Sequence, residues 1–215
     1  PHFIKNLPFA YQGNPALGQA MAEAATAMGV HTRAHDATSL APEYGTLVPM
    51  RYMNADQQFK VVSVSALCTV HNLMDSVTLG RAVRQAIEQH YDGTVAILAS
   101  GSLSHRFAQN GVSDQFLHKV WDPFLETVDH HVVELWKKGD WKTFCGMLPE
   151  YAVKCHGEGM MHDTAMLLGA LIRRFNGTRM FVYVLGRAFL GTVACVFLTG
   201  ALAQWSGHVL AARSE

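Results

Sequence analysis

Charge of one sign is what this 215-residue chain most clearly lacks. Its 17 Lys and Arg balance 17 Asp and Glu, and charged residues make up only 16% of the sequence. That balance gives no basic surface for nucleic acid and no polybasic patch for a membrane. Cysteine is scarce as well. Cys68, Cys145, Cys155 and Cys195 are widely separated and no pair has C-x-x-C spacing, so neither a zinc site nor a redox dithiol is expected. Free thiols in a reducing cytosol are the simplest reading. No signal peptide opens the chain, and no repeat or low-complexity tract interrupts it. A cytoplasmic location is therefore expected. The 49% apolar content suits one sizeable domain with an ample core.

What is present centres on the stretch from Val95 to Phe107. Val95-Ala96-Ile97-Leu98-Ala99 is too short for a helix and is bounded by Asp92-Gly93 and Gly101, which predicts a buried strand over 94–100. Gly101 would let the backbone turn tightly or approach a ligand. His105 then follows the carboxyl end of the strand, the edge where open α/β sheets place their chemistry. An imidazole titrating near neutrality suits acid–base work or metal ligation, though it would equally serve as a hydrogen-bonding turn residue.

Elsewhere, Asn14-Pro15 predicts a helix start, with helix over 15–28 ended by Gly29. A short helix can begin at Leu47, after Gly45. Alternation in 59–67 predicts a strand ending at Cys68-Thr69-Val70-His71, and 76–91 reads as a helix. Strand, helix and strand in that order form a βαβ unit, so both His71 and His105 are expected at one sheet edge. Helix is expected over 113–138, over 140–147 up to a break at Pro149, and over 160–172. The apolar stretch from Met180 to Trp205 is long enough for a membrane helix, but its Val, Phe, Tyr and Thr content favours buried strands, and no membrane span is expected.

Several separated motifs share one resemblance: Pro1-His2-Phe3-Ile4, the run Glu43 to Met53, Cys68 to His71, Ala99 to Phe107, Met147 to Tyr151, Gly157-Glu158-Gly159 and His162-Asp163-Thr164. In order and spacing they resemble the type III extradiol ring-cleaving dioxygenases, closest to the branch that opens 3,4-dihydroxyphenylacetate. The resemblance covers 1–172 as a catalytic domain and leaves 173–215 as a divergent apolar tail. It implies an α/β fold: one domain, a three-layer sandwich with a mixed or mostly parallel central sheet flanked by helices. It implies Fe(2+) held by two histidines and a carboxylate, with a catecholic aromatic acid and O2 as partners and a homo-oligomeric assembly. The product would be a hydroxymuconate semialdehyde. By the same resemblance His105 is the catalytic acid–base residue, and His2, Tyr44, His71 and Ser104 line the substrate. Asp163 or Glu158 supplies the metal carboxylate, with Asp163 preferred, although either also suits a helix N-terminus. The family's two iron histidines belong to a segment of roughly eighty residues that would precede Pro1, an estimate from one or more βα units. The alternative is a truncated, inactive homologue or a non-catalytic subunit that binds an aromatic acid.

Overall fold

Short capping motifs set the helices before any packing does. The computed structural model describes residues 11–35, 37, 42–65, 68–106 and 120–171, and the backbone of 181–185 and 192–198. Helix α1 (Pro15–Ala27) starts where Asn14 accepts from the Leu17 amide, with Pro15 in the first turn, and Gly29 follows it at φ 88°. Helix α2 spans Tyr44–Met53 and α3 spans Leu73–His90. The α3 start is a reciprocal box: the Asp75 amide donates to Asn72 Oδ1 and the Asn72 amide to Asp75 Oδ2, both at 3.0 Å. Strand β1 is Ala96–Ser102. Helix α4 (Pro123–Lys138) begins at an Asp122-Pro123 pair and ends on Gly139 at φ 70°, and Asp140 caps α5 (Trp141–Lys154). A single 3-10 turn at Glu158–Met161 leads into α6 (His162–Leu171). Strands β2 (Phe181–Leu185) and β3 (Thr192–Leu198) complete the described elements.

The sheet order is β1-β3-β2, and β3 pairs antiparallel with both neighbours. Ala99 stands opposite Cys195 and Gly101 opposite Val193. The parallel contact among the described residues is a lone bridge from Gly13 to Val61. We propose that this sheet belongs to a three-layer α/β sandwich with a mixed or mostly parallel central sheet flanked by helices.

Helix α6 organises the packing, with α3 against it and β1 beside it, while α1 lies on α3. The crossing of α3 with α6 is close because each brings a glycine to it. A Cβ on Gly80 would sit 1.8 Å from the Met166 carbonyl oxygen, and one on Gly169 2.0 Å from that of Val77. One apolar cluster joins β1 to α4, α5 and α6 through Ala99, Leu125, Val132, Phe144 and Leu168. Trp136 and Trp141 both meet Phe144 edge-on within it, at centroid distances of 5.3 and 6.5 Å. A second cluster joins α1 to α3 through Leu17, Met21, Ala25, Leu79 and Ala86.

Three local expectations are corrected. Residues 59–65 form no strand beyond the Val61 bridge, so the expected βαβ unit lacks its first strand. Asn54 explains part of this. Buried to 1% exposure, its amide side chain accepts from the Phe59 amide and donates to the Phe59 carbonyl, tying the segment into a loop rather than a ladder. Helix α5 runs through Pro149 instead of stopping there. Proline removes one donor, yet Phe144, Leu148, Tyr151 and Ala152 are all buried on the same helix, and that apolar burial outweighs the lost bond. Helix α2 starts at Tyr44 and contains Gly45. The expected helix residues 113–119, together with His2, Phe107 and most of 172–215, lie outside the described residues. Among those described, no helix is long and apolar enough to cross a membrane.

Candidate active site

The end of β1 is stapled to the turn before α6. The His105 amide donates to the His156 carbonyl at 2.8 Å, the Glu158 amide to the Leu103 carbonyl at 3.3 Å, and Ser104 bridges Gly157. The turn itself is unusual. His156, Met160 and Met161 have φ of 52°, 55° and 62°, with Gly159 at 54° between them. Non-glycine residues enter this left-handed region at a cost, and such strain gathers where surrounding structure fixes a functional segment. Here it turns Glu158 back toward β1.

Three sequence-predicted site residues meet as a result. His105 Nε2 lies 3.9 Å from Glu158 Oε1, and the Tyr44 hydroxyl donates to that same oxygen at 3.2 Å. Tyr44 reaches it from the first turn of α2, 114 residues away in sequence. Burial, followed by the charge of Glu158, pushes the Tyr44 phenol above its ordinary value. The phenol therefore stays protonated and acts as a donor.

Asp163, also singled out, lies against β1 by a different route. A Cβ on Gly101 would fall 2.4 Å from Asp163 Oδ2. Gly101 lies inside β1 rather than at a tight turn, and its missing side chain makes room for this carboxylate. Burial is the main cause raising the Asp163 carboxyl to about 6, and the charge of Glu158 adds to it. Gly101→Ala is expected to cost about 1–3 kcal/mol by overpacking the carboxylate, and urea unfolding would measure it. A loss below ~0.5 kcal/mol would show that Asp163 moves aside freely.

Ser104, expected to line the substrate, is held by Asp129 of α4. Its hydroxyl donates to Asp129 Oδ2 at 2.6 Å, and the Tyr151 hydroxyl donates to Asp129 Oδ1 at 2.6 Å. Asp129 thus ties α4 and α5 to the residue preceding His105. Neither Asp129 nor Tyr151 stood out as a site residue in the sequence, since each occupies an ordinary helical position.

His71 precedes α3 and lies close enough to His162 to be felt there electrostatically. No described contact joins it to His105. His162 is 5% exposed and its Nδ1 is 2.7 Å from Ser76 Oγ. Burial, then the charge of His71, holds its imidazole below the ordinary value of 6.5, with Asp75 opposing. The unfolded chain therefore takes up this proton more readily than the folded one. Its stabilising contribution is complete above the unfolded value and falls as pH drops through it. His162→Gln should flatten part of the fall in melting temperature between about pH 7.5 and pH 5.5. An unchanged slope in calorimetry would remove His162 as a cause.

Among the described residues, no group of three or more His, Cys, Asp or Glu is arranged to hold a metal ion. The described part of the site therefore does not by itself fit the iron that the resemblance implies.

The end of β1 thus brings together an imidazole, a carboxylate turned back toward it and a phenol donor. The chain belongs to the family described as the catalytic LigB subunit of aromatic ring-opening dioxygenase, which it matches over residues 1–189. It is 55% identical over 171 residues to the 3,4-dihydroxyphenylacetate 2,3-dioxygenase of Escherichia coli. The matched region covers 80% of this chain and 62% of that relative.

Proposed function

We propose that this chain takes part in extradiol cleavage of a catechol, 3,4-dihydroxyphenylacetate, with O2 to a hydroxymuconate semialdehyde. Family membership and the name of the Escherichia coli relative support the reaction class. The observation that carries it is the meeting of His105, Glu158 and Tyr44 at the end of β1. A neutral imidazole at His105 accepts a proton from the diol, and the carboxylate of Glu158 stabilises the imidazolium formed. Tyr44 holds that carboxylate in place. Iron(II) is the proposed cofactor, and no step is assigned to it on the described residues.

Arg106 supports an acidic substrate. Exposed and next in sequence to His105, its guanidinium lies 5.3 Å from the centroid of the Trp121 ring, and the Trp121 indole donates to the Arg106 carbonyl at 2.6 Å. A cation steadied on an aromatic face can receive the carboxylate of the substrate side chain. Arg106→Ala is expected to weaken 3,4-dihydroxyphenylacetate binding about 2- to 5-fold, the range of an exposed ion pair, and to leave 4-methylcatechol unaffected. Equal losses for both ligands would count against a role in reading the carboxylate.

The deciding experiment reconstitutes the full chain with Fe(II) under anaerobic conditions and then adds 3,4-dihydroxyphenylacetate and O2. A yellow semialdehyde with one O2 consumed per ring supports the enzyme. Saturable binding without turnover supports a non-catalytic homologue that binds an aromatic acid. Neither binding nor turnover would overturn both.

A further inference from the structure

Just beyond β1, Ser104 pairs with Gly157 in an antiparallel bridge, and the backbone amides of His105 and Glu158 close it on either side. Neighbouring residues of an extended chain point to opposite faces, and residues paired across a bridge point to the same one. One face of this short ladder carries His105 and Glu158, whose side chains approach to 3.9 Å. The other face carries Ser104. A Cβ on Gly157 would point that way too, 3.4 Å from the Tyr151 ring and against the Met161 side chain. Glycine at this rung therefore lets Tyr151 and Met161 lie directly under the ladder.

A single carboxylate holds this second face. Asp129 Oδ2 accepts from the Ser104 hydroxyl at 2.6 Å and from its amide at 3.4 Å, while Oδ1 accepts from the Tyr151 hydroxyl at 2.6 Å. Bonds to an ionised acceptor are the strong kind. Tyr151 is 2% exposed and part of the core cluster, so the hold is anchored in packed interior. The turn that follows the ladder needs such an anchor. Met160 and Met161 stand at φ 55° and 62°, and backbone of that kind persists only where its surroundings over-determine it.

We propose that Asp129 is a positioning residue: by holding Ser104 and Tyr151 on the rear face of the ladder, it fixes where His105 and Glu158 stand on the front. The role rests on the proposed function, in which His105 carries the proton. It also makes Ser104 a transmitter of position instead of a contact to substrate.

The test uses Ser104→Ala, which cuts the link and leaves His105, Glu158, Tyr44 and Asp129 in place, and Ser104→Thr, which keeps the hydroxyl. In crystal structures of the full chain, Ser104→Ala is expected to move His105 Nε2 relative to Glu158 Oε1 by about 1 Å, and Ser104→Thr to restore the separation. A misplacement of about that size can cost up to about 10²-fold in rate. In the Fe(II)-reconstituted chain, kcat for 3,4-dihydroxyphenylacetate should therefore fall by about 10- to 100-fold in Ser104→Ala, with KM changed less than about 2-fold, and Ser104→Thr should recover most of the loss. An unmoved His105–Glu158 pair in Ser104→Ala would overturn the proposal. So would a rise in KM with kcat kept, which would make Ser104 a substrate contact. If the wild-type chain itself turns nothing over, the proposed function fails, and the crystal comparison alone then upholds or overturns the role of Asp129.

Discussion

His105→Ala is expected to slow consumption of the catechol by about 10²- to 10⁴-fold, the usual loss when a positioned acid–base group is removed. The expectation rests on place and partner. His105 follows the last residues of β1, its amide is held by the His156 carbonyl, and its Nε2 lies 3.9 Å from the Glu158 carboxylate. That separation is beyond a hydrogen bond, so the two become an ion pair only once the imidazole takes a proton. Semialdehyde absorbance in the reconstituted full chain measures the rate, and iron analysis on the same sample supplies the control. Iron retained with turnover lost fits a proton carrier. Iron lost together with turnover would make His105 a ligand instead. Glu158→Gln keeps the shape and the bond to Tyr44 but removes the charge, so its expected effect is smaller and shows in the pH profile of kcat.

The second large effect is on stability. Asp129→Ala is expected to cost about 3 kcal/mol, because two hydroxyls lose a charged acceptor at once and such bonds contribute about 1.5–3 kcal/mol each. One of them, on Tyr151, is in a residue only 2% exposed, and burial beside Asp129 keeps that phenol protonated, its pKa raised far above the usual range. For a chain of this size the melting temperature should fall by about 6–12 °C. Tyr151→Phe added to Asp129→Ala removes the stranded hydroxyl and should recover part of the loss, a coupling that a double-mutant cycle reads directly. Additive losses would mean that the two groups do not share the bond. Since Ser104 is the other donor, the same variant should also loosen the segment that carries His105, seen as faster exchange of the His105 amide.

How much of this was legible in the sequence differs from element to element. Asn14-Pro15, Asn72 with Asp75, and Gly139 act over a few residues, so α1, α3 and the end of α4 follow from local chemistry. Asp122-Pro123 is equally local, yet the apolar periodicity running ahead of it masks the start of α4. The apolar run before Gly101 marks β1 because little else fits so short a segment. Val61, Val62 and Val64 alternate as a strand would, but alternation does not supply a partner, and Asn54 binds the segment into a loop. Expecting a break at Pro149 overweighted one missing donor against four buried side chains. At the site, His105, Glu158 and Tyr44 could each be named from the motifs that resemble a family. Their meeting depends on a left-handed turn whose residues give little warning, since Met160 and Met161 are not residues that favour positive φ. Asp129 was invisible because its role lies in whom it touches.

The glycines at the α3–α6 crossing bear on which changes the chain can tolerate. Each helix lays bare backbone against the other's carbonyl, so alanine at Gly80 or Gly169 has no soft neighbour to push aside. The two helices must separate as rods, and the first such substitution opens a gap into which the second falls more cheaply. Paired replacements should therefore harm less than the sum of single ones, and the Ser76–His162 contact spanning the same two helices would part with the first of them.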